Sequence, residues 1–165
     1  RNVQAAKKPG AKAPDRLACG CAGTQVRTLA QEEAGQDAPA QPGRLQNWPV
    51  QLQLVPVRAP YFDGCDLLIA ADCTAYACGS FHADFIRGHV TLIGCPKLDR
   101  ADYEEKLTAI LMENNVRSIT LTRMEVPCCG GLEYAARQAV EASGKSIPMR
   151  VVTFMADGKL LPQDA

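Results

Sequence analysis

Apolar runs alternate with helical patterns over the second half of the chain, and this alternation constrains the fold more than any other feature. Two of the runs are continuous, which suits strands buried on both faces. Such an order is typical of an α/β domain with an open, mostly parallel sheet and helices on both faces, the Rossmann-like arrangement. The predicted strands are residues 66–73, 89–96, 117–126 and 149–155.

Other local patterns add detail around these strands. Residues 50–57 alternate between polar and apolar side chains, which predicts an earlier strand that ends near Pro56. Trp48 is the only tryptophan, and we expect it to anchor the chain on the domain body. Residues 74–86 predict one helix with an apolar stripe.

Capping residues set the expected ends of the next two helices. Asp99 is expected to be the N-cap of the first, with Asp102 in its first turn. The apolar stripe that begins at Leu132 predicts the second helix, which should end at Gly144.

Composition limits the classes of function. The 165 residues carry 18 basic and 18 acidic side chains, so nothing calls for nucleic acid or a membrane surface. No apolar run approaches the ~20 residues of a membrane span, and no signal-peptide pattern opens the chain. Neither a glycine-rich nucleotide fingerprint nor a Ser-His-Asp order is evident, and no residue is assigned as catalytic. We expect a cytoplasmic protein.

The chain divides into three parts by composition. Residues 1–18 should be a mobile basic terminus, residues 19–47 a Cys-x-Cys segment with a linker, and residues 48–165 the α/β domain that holds the site. Because the first residue is Arg1, we expect a fragment or a processed chain. The 8 cysteines make up about 5% of the 165 residues, below the ~8–10% that marks a disulfide scaffold, so clustered thiols favour metal or redox chemistry.

Three successive predicted strands end in cysteine, and this places the candidate site. Cys73 closes one strand, Cys95 the next, and the vicinal pair Cys128 and Cys129 follows the third. The carboxyl ends of parallel strands lie at one edge of a sheet, where open α/β sheets bind ligands. We therefore expect one cluster of four thiols, provided that none of these strands is antiparallel.

Each of these thiols precedes a predicted helix, whose N-terminus should favour the thiolate and lower its pKa. An anionic metal–sulfur cluster would gain from the same field. Gly130 and Gly131 should let the backbone approach sulfur closely.

The residues leave the bound group open among three alternatives. Four cysteines can hold an iron–sulfur cluster, either a 4Fe-4S cluster or a larger, non-cubane one, or a tetrahedral zinc ion. Adjacent cysteines are strained around a single ion but can bind different irons of a cluster, which favours iron–sulfur. The third alternative is a thiol–disulfide enzyme that uses Cys128 and Cys129 as its reactive pair.

The remaining thiols and the histidines have weaker claims. Cys21 could add a fifth metal ligand from its flexible segment, or act as a resolving thiol, whereas Cys19 and Cys21 could also be plain exposed thiols. Cys65 precedes its strand and should lie at the opposite edge, as should His89. Cys78, on the helix after Cys73, should face the core or approach the site within about one helical turn, where it could be a ligand. A structural role suits His82, although His82 could hydrogen-bond to the site.

Four blocks of sequence resemble a known family. They begin at Asn47 (Asn-Trp-Pro-Val-Gln-Leu-Gln-Leu-Val-Pro), Asp66 (Asp-Leu-Leu-Ile-Ala-Ala-Asp-Cys), Leu92 (Leu-Ile-Gly-Cys-Pro-Lys-Leu-Asp) and Met124 (Met-Glu-Val-Pro-Cys-Cys-Gly-Gly-Leu). Over residues 19–160 the chain resembles the carboxyl-terminal domains of ferredoxin-like iron–sulfur oxidoreductases of anaerobes, a 4Fe-4S binding protein family.

The resemblance implies a role and a partner. It implies electron transfer or redox catalysis, with an amino-terminal ferredoxin module on the full-length chain, or another redox protein, as the partner. The oligomeric state stays open. The family pattern Cys-Pro-Gly-Ser reads here as Cys21-Ala-Gly-Thr24. The cysteines that match the family are Cys21, Cys73, Cys95, Cys128 and Cys129, while Cys19, Cys65 and Cys78 are additions.

Overall fold

A computed structural model describes residues 27–29 and 39–162, and its sheet is parallel throughout. The strands within these residues are β1 (Asp66–Ala71), β2 (His89–Gly94), β3 (Ser118–Met124) and β4 (Met149–Phe154). They lie in the order β2-β1-β3-β4, and all three pairings are parallel. The predicted α/β fold with a parallel sheet is therefore confirmed. Cys19 and Cys21 lie outside the described residues.

Helical segments cover both faces of this sheet, as predicted. The helices are α1 (Thr74–Ala77), α2 (Tyr103–Glu113) and α3 (Gly130–Ser143), with a π-helical segment at His82–Ile86 and 3-10 turns at Pro60–Phe62 and Pro127–Cys129. On one face, the Thr74 hydroxyl lies 3.1 Å from that of Thr122, and the Phe81 ring packs on Phe154. On the other face, α2 and α3 pack together, and Arg123 of β3 bonds to Glu133 of α3.

The core is built around β1, whose apolar residues Leu67–Ala71 are all buried. This matches the continuous apolar run, because a central parallel strand has a covered face on each side. The predicted stripe on α2 is also confirmed, since Leu107, Ile110 and Leu111 are buried. Gly144 ends α3 with a φ of 68°, a left-handed conformation that favours glycine.

The predicted strand at residues 50–57 is wrong. Gln51 makes one parallel bridge with Ile93, after which the Leu54 and Val55 amides both donate to the Gln51 carbonyl and the chain turns. Leu52 and Val55 are buried, while Leu54 is exposed. The polar–apolar alternation therefore belongs to a turn that contacts the sheet edge only once.

The expectation for Trp48 is also wrong, because its side chain is 77% exposed. Its neighbour Asn47 anchors the chain instead. The Asn47 side chain is buried, accepts from the Thr91 amide at 2.8 Å and donates to the Thr91 carbonyl at 3.0 Å. A side-chain amide can satisfy both backbone groups of one strand residue, which an indole cannot do.

The single helix predicted for residues 74–86 is split into α1 and the π-helical segment. Cys78 ends α1 with an extended backbone. The Ser80 carbonyl then accepts hydrogen bonds from the Ala83 and Asp84 amides, which start the next segment. The start of α2 also differs from the prediction. Asp102, not Asp99, is the N-cap, and its carboxylate accepts from the Glu105 amide at 3.0 Å.

Candidate cysteine site at the carboxyl edge of the sheet

The connections of the sheet diverge between β1 and β3. The chain passes from β1 to β2 on one side and from β3 to β4 on the other. In open α/β sheets, the crevice at such a switch point, beyond the carboxyl ends of the strands, is where ligands bind. The topology therefore selects the ends of β1 and β3 as the place for a site.

Four thiols lie at this edge. Cys73 lies two residues beyond β1, Cys95 directly follows β2, and Cys128 and Cys129 form the turn between β3 and α3. Cys73 interacts electrostatically with Cys95 and Cys128, and Cys129 does so with Cys128 and Cys73. The four thiols therefore lie at one edge of the sheet, because the three strands are parallel neighbours, and their binding of one shared group stays a prediction. All six cysteines among the described residues are free thiols.

The predicted lowering of the thiol pKa values is wrong for two of the four. Burial raises the pKa of Cys73, and the charges of Cys95, Asp72 and Cys128 act in the same direction. Burial also raises the pKa of Cys129, although a hydrogen bond to the Met124 backbone opposes it. The helix after Cys73, α1, has only four residues, so little helix field offsets the burial of this thiol. At Cys129, which precedes α3, burial is the largest cause.

A carboxylate fixes the loop that carries Cys95. The Leu98 and Asp99 amides donate to the Cys95 carbonyl at 3.1 and 2.9 Å, and the Cys95 amide donates to the Asp99 carboxylate at 3.2 Å. The Tyr103 hydroxyl donates to the same carboxylate and holds the pKa of Asp99 below its usual range. Burial raises the pKa of Tyr103, and the hydrogen bond to Asp99 raises it further. The sequence predicts a helix cap at Asp99 and gives no signal for this role in the Cys95 loop.

The two glycines after the vicinal pair contact side chains other than sulfur. A Cβ on Gly131 would lie 3.3 Å from the Pro96 ring, so this glycine lets α3 approach the loop after Cys95. A Cβ on Gly130 would lie 3.9 Å from the Arg123 guanidinium, which is an ordinary contact. The expected approach of the glycine backbone to sulfur therefore stays a prediction, while Gly131 has a packing role.

The charged residues before the vicinal pair are paired. The Arg123 guanidinium donates to the Glu133 carboxylate at 2.7 Å, across the start of α3. Arg27 donates to the Glu125 carboxylate at 2.7 Å, and this bond lowers the pKa of Glu125. Sequence patterns gave no signal for the second pair, because its members are far apart in the chain.

The Arg27–Glu125 pair bears on Cys21, which lies outside the described residues. Arg27 is six residues after Cys21, and Glu125 is three residues before Cys128. The six residues from Cys21 to Arg27 span at most ~20 Å of chain.

The other candidates lie away from the four thiols or have other partners. Cys65 directly precedes β1 at the opposite edge, where burial and Asp66 raise its pKa to about 11. His89 begins β2 at that same edge, as expected. Cys78 ends α1, with its sulfur 3.7 Å from the Ser80 hydroxyl. His82 Nδ1 accepts from the Arg44 amide at 3.1 Å.

Two features are absent from the described part of the chain. Among residues 27–29 and 39–162, no three His, Cys, Asp or Glu side chains are arranged so that they could hold one metal ion. In the same residues, no helix has the length and apolar character needed to cross a membrane.

Comparisons with known proteins identify the domain. A family model described as Rossmann-like domain matches residues 59–165. A protein of Archaeoglobus fulgidus, named only as an uncharacterized protein, is 31% identical over 119 residues, which cover 72% of this chain and 84% of the relative. No solved structure matches. The chain therefore belongs to the Rossmann-like domain family.

Proposed function

We propose that Cys73, Cys95, Cys128 and Cys129 hold an iron–sulfur cluster, and that the domain serves electron transfer or redox catalysis. The observation that carries this proposal is the position of four thiols just beyond the carboxyl ends of three adjacent parallel strands, at the switch point of the sheet. Thiolates are the usual ligands of such clusters, which supply one-electron chemistry when bound.

The donor set fits a cluster better than a single ion. Cys128 and Cys129 are adjacent, so their side chains diverge, and a group several ångströms across can accept them at different irons. The vicinal pair also immediately precedes α3, a helix of 14 residues whose N-terminal amides favour negative charge. Gly131 keeps the Cys95 loop close to this helix start.

The state of the thiols also favours metal binding over disulfide exchange. Cys129 is only 6% exposed, and burial raises its pKa, so it is a poor nucleophile near neutral pH. Metal binding deprotonates cysteine and offsets this cost with metal–sulfur bonds. The reactive dithiol is therefore less well supported than the ligand set.

Cys21 is proposed as an additional ligand, and the partner as a ferredoxin module or another redox protein. The Arg27–Glu125 pair supports the first point, because it holds the chain near the thiol edge within reach of Cys21. Clustered reduced thiols fit the cytoplasm, which we propose as the location.

Anaerobic purification and reconstitution test the cluster. We expect iron, acid-labile sulfide and a broad visible absorption in the wild type, and a loss of all three in Cys73→Ser, Cys95→Ser, Cys128→Ser and Cys129→Ser. Cys65→Ser and Cys78→Ser are matched controls that should keep full iron content. A wild-type protein without iron and sulfide would overturn the proposal. One equivalent of tightly held zinc would indicate a structural zinc site instead.

The role of Cys21 needs a separate measurement. If Cys21 binds the cluster, Cys21→Ser changes the reduction potential or the iron content, and Cys19→Ser does not. Glu125→Gln removes the charge that pairs with Arg27. It should therefore change the reduction potential or the iron content in the same direction as Cys21→Ser, but by less. Unchanged iron content and potential in Cys21→Ser would count against this ligand.

A further inference from the structure

The side chain of Asp99 connects three parts of the molecule beside the Cys95 thiol. The Cys95 amide, just after β2, donates to its carboxylate at 3.2 Å. The hydroxyl of Tyr103, the first residue of α2, donates to the same carboxylate, and the side chain of Gln53 also forms a hydrogen bond with it. A carboxylate can accept several hydrogen bonds, so Asp99 joins the end of β2, the start of α2 and the turn at residues 50–57.

The Tyr103 hydroxyl has space beside β2 because Gly94 carries no side chain. A Cβ on Gly94 would lie 2.5 Å from the Tyr103 hydroxyl oxygen and 2.9 Å from the ring carbon Cζ, and both distances are too short for a real contact. Tyr103 is only 5% exposed. Its bond to Asp99 is therefore shielded from water, where a hydrogen bond to a charged group is strong.

The bond from the Cys95 amide to Asp99 removes a donor from the thiol site. Hydrogen bonds to the sulfurs and the net charge around them set the reduction potential of an iron–sulfur cluster. The amide of a ligating cysteine is close enough in the chain to donate to such a sulfur, but the Cys95 amide is already bonded to Asp99. Fewer donors and a nearby carboxylate both disfavour the reduced form, which carries more negative charge.

Other charges near the thiols leave this effect in place. Asp72, directly before Cys73, is a second carboxylate that interacts electrostatically with Asp99 and with Cys73. Cations that lie close to the four cysteines in sequence are exposed to solvent or paired with a carboxylate, which limits how far they offset these charges. They are Lys97, Arg100 and Arg123.

We propose, on the basis of the iron–sulfur function proposed above, that Asp99 and Tyr103 are positioning residues of the thiol site. Asp99 holds the Cys95 amide away from the bound group and lowers its reduction potential. Tyr103 offsets part of the Asp99 charge through its hydrogen bond and so limits this lowering.

Two variants should shift the reduction potential in opposite directions, which a merely structural role would not do. The Asp99→Asn side chain still accepts from the Cys95 amide but carries no charge, so the potential should rise. Tyr103→Phe removes a donor from the carboxylate, so the potential should fall. Asp102→Asn is the matched control, because it removes one charge at an exposed N-cap that asparagine also fills, and it should leave the potential unchanged. Redox titration of the full, anaerobically reconstituted chain, followed by visible absorption, measures all three.

Hydrogen exchange at the Cys95 amide tests the geometry in the reduced, metal-free chain. Asp99→Ala removes the acceptor and should raise the exchange rate of this amide about fivefold or more. Asp99→Asn keeps an acceptor oxygen, and its Cys95 amide should exchange at the wild-type rate. Unchanged exchange in Asp99→Ala would overturn the positioning role whatever the metal content.

The outcomes separate these roles from the proposed function itself. A wild-type chain that takes up no iron and sulfide overturns both. If the wild type holds a cluster and the potential does not rise in Asp99→Asn, only the role of Asp99 is overturned. Loss of the cluster in Asp99→Asn also overturns it, because asparagine keeps the bond that positions Cys95. A potential that does not fall in Tyr103→Phe overturns the role of Tyr103.

Discussion

At the scale of single residues, hydrogen-bond partners distinguish buried threonines that look alike in the sequence. Thr122 and Thr91 each lie in a strand and are at most 2% exposed. The Thr74 hydroxyl gives its hydrogen to Ala71, so the Thr122 hydroxyl must be the donor in the Thr74–Thr122 pair. The Thr91 hydroxyl has no partner in the described residues. Equal burial therefore conceals opposite contributions to stability.

Replacement of each threonine by valine should reveal this difference. Thr122→Val loses one hydrogen bond and should lower the free energy of unfolding by about 1 kcal/mol. Thr91→Val loses none and removes a buried polar atom, so its free energy of unfolding should stay unchanged or rise by up to about 1 kcal/mol. Urea denaturation at neutral pH without added ligand measures both. Equal losses in the two variants would contradict the assignment of partners.

Residue-level predictions from the sequence succeeded for position and failed for environment. The order of strands and cysteines placed Cys73, Cys95 and Cys128 at one edge, because a parallel sheet brings its carboxyl ends together. The pKa direction of Cys73 and Cys129 was wrong, since the depth of burial depends on tertiary packing that local order does not reveal. For the same reason, the anchor was assigned to Trp48 although Asn47 makes the bonds.

At the scale of elements, the strength of a pattern decided whether its prediction held. The continuous apolar run of β1 has one structural solution, a strand covered on both faces. The weaker alternation at residues 50–57 is compatible with several structures, and a turn buries Leu52 and Val55 as well as a strand would. The helix predicted at residues 74–86 is divided at Cys78, whose backbone is extended. A turn that lies far away in sequence, after β4, packs against the end of α1.

That contact is made by Gly158, and it can be tested. Gly158 has a φ of +86°, and a Cβ there would lie 2.1 Å from the Ala77 carbonyl oxygen. Gly88 has a similar φ of +80° but open space around it. Both alanine variants incur left-handed strain of about 1–2 kcal/mol, and Gly158→Ala adds a backbone clash of about 1–3 kcal/mol.

Thermal and urea unfolding of Gly158→Ala and Gly88→Ala isolate the clash from the strain. Gly158→Ala should unfold at a clearly lower urea concentration than Gly88→Ala. Equal midpoints would mean that the turn after β4 does not depend on its contact with α1.

At the scale of the whole molecule, the two edges of the sheet have different chemistry. The carboxyl edge gathers four thiols, with a carboxylate that holds the Cys95 loop. The amino edge carries a hydrogen-bonded ion pair, in which Arg117 Nε donates to Asp66 at 2.8 Å and the Ser118 hydroxyl donates to Asp66 at 2.6 Å. These bonds join the first residue of β1 to the start of β3, so the amino edge stabilises the sheet without occupying the edge that holds the candidate site.

The ion pair at the amino edge should make stability depend on acid. The hydrogen bond from Arg117, followed by that from Ser118, lowers the pKa of Asp66 from 3.8 to about 2. A carboxyl with a lowered pKa in the folded state contributes stability that is present above pH 3.8 and is lost as the pH falls toward 2. Because the pair is partly exposed, we expect a contribution on the order of 1 kcal/mol after solvent screening.

Urea unfolding of the wild type and Asp66→Asn, from pH 5 down to pH 2.5, measures this contribution. The difference between their free energies of unfolding should be largest at pH 5 and should shrink steadily below pH 4. Arg117→Met should weaken the same pH dependence, because it removes the main cause of the lowered pKa. Asp63→Asn removes an exposed carboxylate nearby and controls for the change in net charge. A difference between wild type and Asp66→Asn that stays constant from pH 5 to pH 2.5 would show that the pair does not link the two strands as the hydrogen bonds indicate.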